Sequence, residues 1–136
     1  MEFDRLGDDL ATQYSAIEVL PETFINGKFT LGENIGDLGG IHASYDALKL
    51  HFETRGKPEP IDGFSAEERF FLSWGTIWRV KIRDEALKNQ VKTDPHSPGI
   101  QRAMQPLKNM DAFYATFDVK EGDAMYLKPE DRVYIW

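Results

Sequence analysis

The chain has 136 residues, 41% of them hydrophobic and 12% aromatic, which is enough for one domain with a buried core and excludes a disordered chain. With 23 acidic against 16 basic residues the net charge is -7, which disfavours a nucleic-acid backbone or an anionic membrane surface as the main partner. The absence of cysteine excludes a disulfide scaffold and any Cys-ligated zinc or iron–sulfur centre.

Met1-Glu2-Phe3-Asp4 lacks the basic and then apolar start of a signal peptide, and no apolar run approaches the roughly 20 residues of a membrane span. From Phe3 to Leu20, Phe3, Leu6, Leu10, Tyr14 and Ile17 fall near a 3.6-residue period, which predicts an amphipathic helix ending before Pro21. Asn26-Gly27 stands between short apolar runs in Phe24 to Phe29, the pattern of a tight hairpin, because both residues tolerate positive φ. Thr30 and Glu33 fit a capping box that opens a helix running to about Glu53, stopped by Arg55-Gly56-Lys57-Pro58. Gly32, Gly36 and Gly40 recur every four residues in it with Gly39 beside them, each costing about 1 kcal/mol relative to Ala. That loss predicts that another element packs directly against this backbone.

Ser65 and Glu68 form a second predicted capping box, opening a helix with Phe70, Phe71, Trp74, Ile77, Trp78 and Lys81 at helical spacing, expected to be the most buried one. Arg83 to Val91 continues it after a bend, whereas Thr93 to Gly99 must be a loop, since Pro95 and Pro98 disfavour helix at the residues before them. Two short helices, Ile100 to Gln105 and Met110 to Phe117, precede a polar loop at Lys120 to Asp123 and an irregular tail. The expected architecture is one mainly α domain with one small β-hairpin.

Glu33 and Asp37 lie at i and i+4 on one helix face. Such a pair can supply a metal ligand and a carboxylate that orients a neighbouring imidazole, or equally a capping Glu and a solvated Asp. His42 cannot join Glu33 on one ion, because nine helical residues separate them by about 13.5 Å and half a turn. His42 and His51 therefore read as partly exposed helix residues. His96 sits in the proline-flanked loop with Arg102 six residues on, and a converging His–Arg pair would suit a carboxylate or a developing oxyanion. Trp74 and Trp78 at i and i+4 read as core. The sequence holds no GxGxxG, P-loop, GxSxG or HExxH.

The run Leu31-Gly32-Glu33-Asn34-Ile35-Gly36-Asp37-Leu38-Gly39-Gly40 resembles the ENIADxGG signature of the neprilysin and endothelin-converting-enzyme family of zinc endopeptidases, with Gly36 where Ala is usual. Phe70-Phe71-Leu72-Ser73 with Trp78, then Lys92 to Gly99 with Arg102, are similar in order to that family's FFLSxxxxW and KTDxHSPGxxR blocks. The likeness covers nearly the whole chain and includes Trp136, so the end of the sequence is expected to be the family's own.

The resemblance implies the helical C-terminal portion of a zincin-type metallopeptidase domain over residues 1–136, acting on peptide substrates with Zn2+. It makes Glu33 the third zinc ligand and Asp37 the carboxylate that holds a ligand histidine. His96 and Arg102 become the groups that bind the tetrahedral intermediate and the substrate backbone, and Ile77 and Trp78 line the pocket for the residue after the scissile bond. The family's HExxH helix lies upstream of the ENIADxGG block, so the histidine ligands are expected in an N-terminal part outside this sequence, and the chain alone is expected to be inactive. The missing cysteines depart from the disulfide-bearing animal members and suit a bacterial parent in an extracytoplasmic or envelope setting. If the chain folds by itself, its glycine face and part of the Phe70 to Trp78 stripe should be exposed, favouring a homodimer through that surface. A non-catalytic interaction module on the same scaffold is the other reading, opposed by the joint presence of Glu33, Asp37, His96 and Arg102.

Overall fold

The computed structural model describes residues 1–135; Trp136, read above as the family's own terminus, lies outside the described residues. The elements are α1 (Glu2–Ser15), β1 (Glu18–Leu20), β2 (Thr23–Phe24), α2 (Leu31–Arg55), α3 (Ala66–Ile77), α4 (Asp84–Thr93), α5 (Gly99–Met104) and α6 (Asp111–Phe117), with 3-10 turns at Leu107–Asn109 and Pro129–Asp131. The expected class, mainly helical with one small antiparallel hairpin, is what is found.

The hairpin, however, lies upstream of its predicted place. The first helix stops at Ser15 rather than Leu20, and Glu18–Leu20 pairs with Thr23–Phe24 across a turn at Pro21-Glu22. Glu22 takes positive φ (59°), and its N–H is held by the Glu18 carboxylate at 2.7 Å. Asn26-Gly27 has a different task. A Cβ on Gly27 would lie 1.9 Å from the Ala11 carbonyl oxygen, so only glycine lets this strand exit cross α1 so closely. Asn26 closes the turn that leads into α2: its side chain accepts from Phe29 N–H (3.0 Å) and its carbonyl from Thr30 N–H (3.0 Å).

Of the two predicted capping boxes one forms. Ser65 Oγ accepts from Glu68 N–H (3.1 Å) and the Glu68 carboxylate accepts from Ser65 N–H (2.6 Å). At Thr30 the hydroxyl instead donates to Asn26 O (3.2 Å) and accepts from Asn34 Nδ2 (2.9 Å), which leaves the Glu33 carboxylate free of a capping role. The helix from Ser65 is not the most buried: α3 buries only Ala66 and Phe71, while α1 buries Gly7, Leu10, Ala11 and Tyr14. It ends at Ile77, and a non-helical stretch separates it from α4, so Lys81 lies beyond it.

α2 is the spine, about 37 Å long at 1.5 Å per residue. Leu38 joins Leu10, Tyr14, Ile25 and Val133 in one apolar cluster, and Ile41 joins Phe71, Leu107, Met110, Phe113 and Tyr114 in the other. The tail is tied back by polar groups. Fully buried Asn109 accepts through Oδ1 from Gln13 Nε2 (2.8 Å) and Val133 N–H (2.8 Å), and donates through Nδ2 to Gln13 Oε1 (2.9 Å). The Arg132 guanidinium lies 3.5 Å over the Tyr114 ring.

Among the described residues, a Cβ at Gly32, Gly36 or Gly40 would meet nothing within 4 Å, so the glycine face of α2 is open at these three positions. A groove of about 510 Å³ runs between Gly36, Gly39 and Gly40 on one side and Tyr134 and Ile135 on the other. Among the described residues no helix is long and apolar enough to cross a membrane.

Candidate active-site wall

The first turns of α2 carry Glu33, Asn34 and Asp37; the loop between α4 and α5 carries Asp94, His96 and Ser97; and α5 carries Arg102. Folding brings these three segments together. His96 Nε2 lies 3.1 Å from Glu33 Oε2, and Arg102 donates through Nε and Nη2 to Asp37 Oδ2 and Oδ1 at 2.7 and 2.8 Å. Four of the predicted site residues therefore share one surface. Glu33 and His96 stay half-exposed, whereas Asp37 is only 8% exposed and is not the solvated carboxylate that spacing alone allows.

Each group is oriented from behind. The Asp94 carboxylate accepts the His96 backbone N–H at 2.9 Å and sits 2.8 Å from Nδ1, so each ring nitrogen faces a carboxylate oxygen. Those bonds, the backbone one foremost, hold the Asp94 carboxyl below its usual range. Arg102 is pinned on three sides: by Asp37, by its own carbonyl accepting from Trp74 Nε1–H (3.1 Å), and by the Trp78 ring 3.8 Å from the guanidinium carbon. The hydrogen bonds that Arg102 donates to Asp37 push the Arg102 pKa up still further. The buried Tyr14 phenol feels this ion pair, and burial, helped by the Asp37 charge, pushes it well above the usual range.

Gly99 makes the approach possible. A Cβ there would lie 2.8 Å from the Trp78 carbonyl oxygen, so a side chain would force the start of α5 away from the end of α3 and lift Arg102 off Trp78. Between them opens a cleft of about 350 Å³ with Trp78, Val80, Ile82 and Leu87 as apolar lining and His96 and Arg102 as polar lining. Ile77 is not in this cleft. One residue along a helix turns by about 100°, and Ile77, 65% exposed, faces a groove with Leu48, Phe52 and Phe70.

His42 and His51 stay apart from the cluster, as their spacing predicts, but His42 is less exposed than a surface residue. Its Nε2 is buried without a hydrogen-bond partner among the described residues, and its ring meets Tyr134 edge-on at 5.8 Å. Asn34 and Ser97 are members of this cluster that spacing passes over: both are 1% exposed, and Ser97 Oγ donates to Asn34 Oδ1 at 2.8 Å. Their signal is position, since each directly follows a predicted site residue, Glu33 and His96.

A catalytic zinc uses three protein ligands, and the donor set here does not make such a site. Among the described residues no three His, Asp or Glu side chains are grouped to hold an ion. Glu33 offers one available carboxylate, while His96 is committed between Asp94 and Glu33, and Asp37 is clamped by Arg102.

A family model described as Peptidase family M13 matches residues 1–133. A neutral endopeptidase of Lactobacillus helveticus is 35% identical over 135 residues, 99% of this chain and 19% of that protein. An endothelin-converting enzyme homolog of Locusta migratoria is 40% identical over 137 residues, 98% of this chain and 18% of that one. Among solved structures, the zinc metalloprotease Zmp1 of Mycobacterium tuberculosis, in complex with inhibitor, superposes with a TM-score of 0.93 at 40% identity, over 99% of this chain and 21% of that chain. The chain thus spans about a fifth of the length of the relatives it matches.

Proposed function

This chain belongs to peptidase family M13, and from that premise we propose that it is the C-terminal part of the catalytic domain of a zinc-dependent endopeptidase, inactive alone, that supplies one wall of the active site. The observation carrying this reading is the convergence of Glu33, Asp37, His96 and Arg102 from segments some 60 residues apart onto one surface beside an apolar cleft. Surface charges have no physical need to converge in this way.

Glu33 is the carboxylate that would serve as a zinc ligand, with the remaining ligands, two histidines by the family resemblance, supplied from outside this sequence. When bound, the ion supplies Lewis acidity toward water and a peptide carbonyl. Asp37 does two jobs: it fixes Arg102 with two bonds, and its remaining lone pairs can hold an incoming imidazole in orientation. Arg102, through the N–H groups that Asp37 leaves free, and His96, through Nε2 once Glu33 turns from it to the ion, can donate hydrogen bonds to charge that develops on the carbonyl oxygen, while Asp37 and Asp94 hold the two from behind. Trp78, flat under Arg102, forms the wall toward the side chain after the scissile bond, with Ile77 at the neighbouring groove.

The test is reconstitution. Supplying the upstream part of the enzyme restores zinc-dependent peptide cleavage that disappears in Glu33→Ala, while the 136-residue chain alone shows negligible zinc affinity and no hydrolysis. Cleavage that survives Glu33→Ala, or stoichiometric tight zinc on the isolated chain, overturns the reading, and a reconstituted protein that binds peptide without cleaving it supports the interaction-module alternative. The open glycine face and the exposed Leu72 and Ile77 also favour self-association of the isolated chain, which light scattering reads directly.

A further inference from the structure

We infer that the buried Asn34–Ser97 hydrogen bond is the positioning device that fixes His96 against Glu33. Asn34 and Ser97 are thereby assigned as positioning residues of the site. The inference rests on the reading of Glu33 and His96 given above, but its test is geometric and does not require turnover.

The two contacts run side by side. Glu33 and Asn34 are neighbours on α2, His96 and Ser97 are neighbours in the loop, and Glu33–His96 (3.1 Å) is matched by Asn34–Ser97 (2.8 Å) across 63 residues of sequence. They differ in surroundings. The Glu33 and His96 side chains are 47% and 42% exposed, and an ion contact so wetted contributes little to holding a loop. Asn34 and Ser97 are 1% exposed each, where an unmade hydrogen bond is costly and a made one is therefore kept.

The direction of the buried bond is also fixed, by a relay that ends on a backbone carbonyl. Asn26 O can only accept, so Thr30 Oγ–H must donate to it (3.2 Å). Thr30 Oγ then accepts from Asn34 Nδ2–H (2.9 Å), which turns Asn34 Oδ1 toward the loop, where it accepts from Ser97 Oγ–H. An amide flip at Asn34 would leave Thr30 Oγ facing an acceptor while its own proton is already committed. One orientation of the loop satisfies every member. Together with Arg102–Asp37, one turn further along α2, this gives the loop and α5 two anchors on one helix, and the exposed His96–Glu33 contact lies beside the buried one.

The test uses the 136-residue chain with Ser97→Ala and with Asn34→Ala/Ser97→Ala. The double variant leaves no orphaned Asn34 carbonyl and so remains informative if the single variant fails to fold. The NMR readouts are the NOE between the His96 ring and the Glu33 side chain, amide exchange over residues 94–98, and the protection of the Trp74 indole N–H, which bonds Arg102 O on the far side of the loop. The expected result is loss of the His96–Glu33 NOE and at least tenfold faster exchange in the loop, with Trp74 protection and the helical circular-dichroism signal retained. An NOE and loop exchange unchanged in a folded variant overturn the inference. Equal loss of Trp74 protection also overturns it, because the bond would then support the fold at large. In the reconstituted enzyme Ser97→Ala lowers kcat by at least tenfold with KM little changed, since misplacing a reacting group by 1 Å costs roughly 10²-fold; an unchanged kcat contradicts the assignment. If the wild-type reconstitution shows no cleavage, the functional reading fails while the NOE result still decides the geometry.

Discussion

The glycine face of α2 gives a prediction whose sign depends on what covers it. Gly36 and Gly40 stand in the interior of a 25-residue helix, and a Cβ at either meets nothing within 4 Å, so Gly36→Ala and Gly40→Ala add helix propensity with no steric cost. Each is worth about 0.8–1.0 kcal/mol, about 2 kcal/mol for the pair. With an unfolding entropy of about 2.1 cal/mol/K per residue, a chain of 136 residues gains about 7 °C in Tm. The assay is thermal and urea unfolding of the isolated chain, diluted until light scattering reads a monomer so that self-association does not cover the face, with the urea slope unchanged so that the midpoint shift reports stability alone. In the reconstituted peptidase the same pair should weaken association, because there the face is expected to take another element's backbone. A destabilised isolated chain would refute the reasoning, by showing that the face is already packed in solution.

Gly27 is the opposite case. Gly27→Ala drives a Cβ into the Ala11 carbonyl and destabilises by about 1–3 kcal/mol in the same unfolding assay, a loss that Gly32→Ala does not share. Ser65→Ala removes the formed capping box and costs about 1 kcal/mol, most visible as faster amide exchange in the first turn of α3. Burial holds the His42 pKa below its usual 6.5, against the pull of Asp46 and Asp111. Between the folded and unfolded values the unfolded chain therefore binds the extra proton, so the His42 contribution is complete above about pH 6.5 and is lost as pH falls below it. Urea unfolding at pH 7.5 and 5 should show a smaller drop for His42→Gln than for the parent chain, and an equal drop would contradict the burial argument.

Local rules reached the helices and faltered where a tertiary contact outbid them. The Ser65 box forms because nothing else claims its partners, whereas Thr30 spends its hydroxyl on Asn26 and Asn34, a use that is visible only once Ser97 is in place behind them. Asn26-Gly27 carries a hairpin signature, yet its glycine is consumed by the crossing over α1, and the hairpin turn falls at Pro21-Glu22 instead. For the site, the motif blocks supplied Glu33, Asp37, His96 and Arg102, but their convergence depends on Gly99 meeting the Trp78 backbone and on the Asn34–Ser97 bond, and neither contact has a periodicity to announce it. Ile77 and Trp78 are neighbours in the motif blocks, yet in the described residues they line two different concave surfaces, because one helical residue turns the side chain by about 100°.

The polar knot at Asn109 changes what the outermost segments of this chain can do. Outer segments ordinarily fray first, yet here Gln13 from α1 and the Val133 amide close on one fully hidden carboxamide. The two therefore cannot peel away one at a time: releasing either strands hydrogen-bonding groups of the other in a dry interior. Val133 N–H, three residues from the last position in the sequence, should accordingly rank among the slowest-exchanging amides, opening only when the molecule unfolds as a whole.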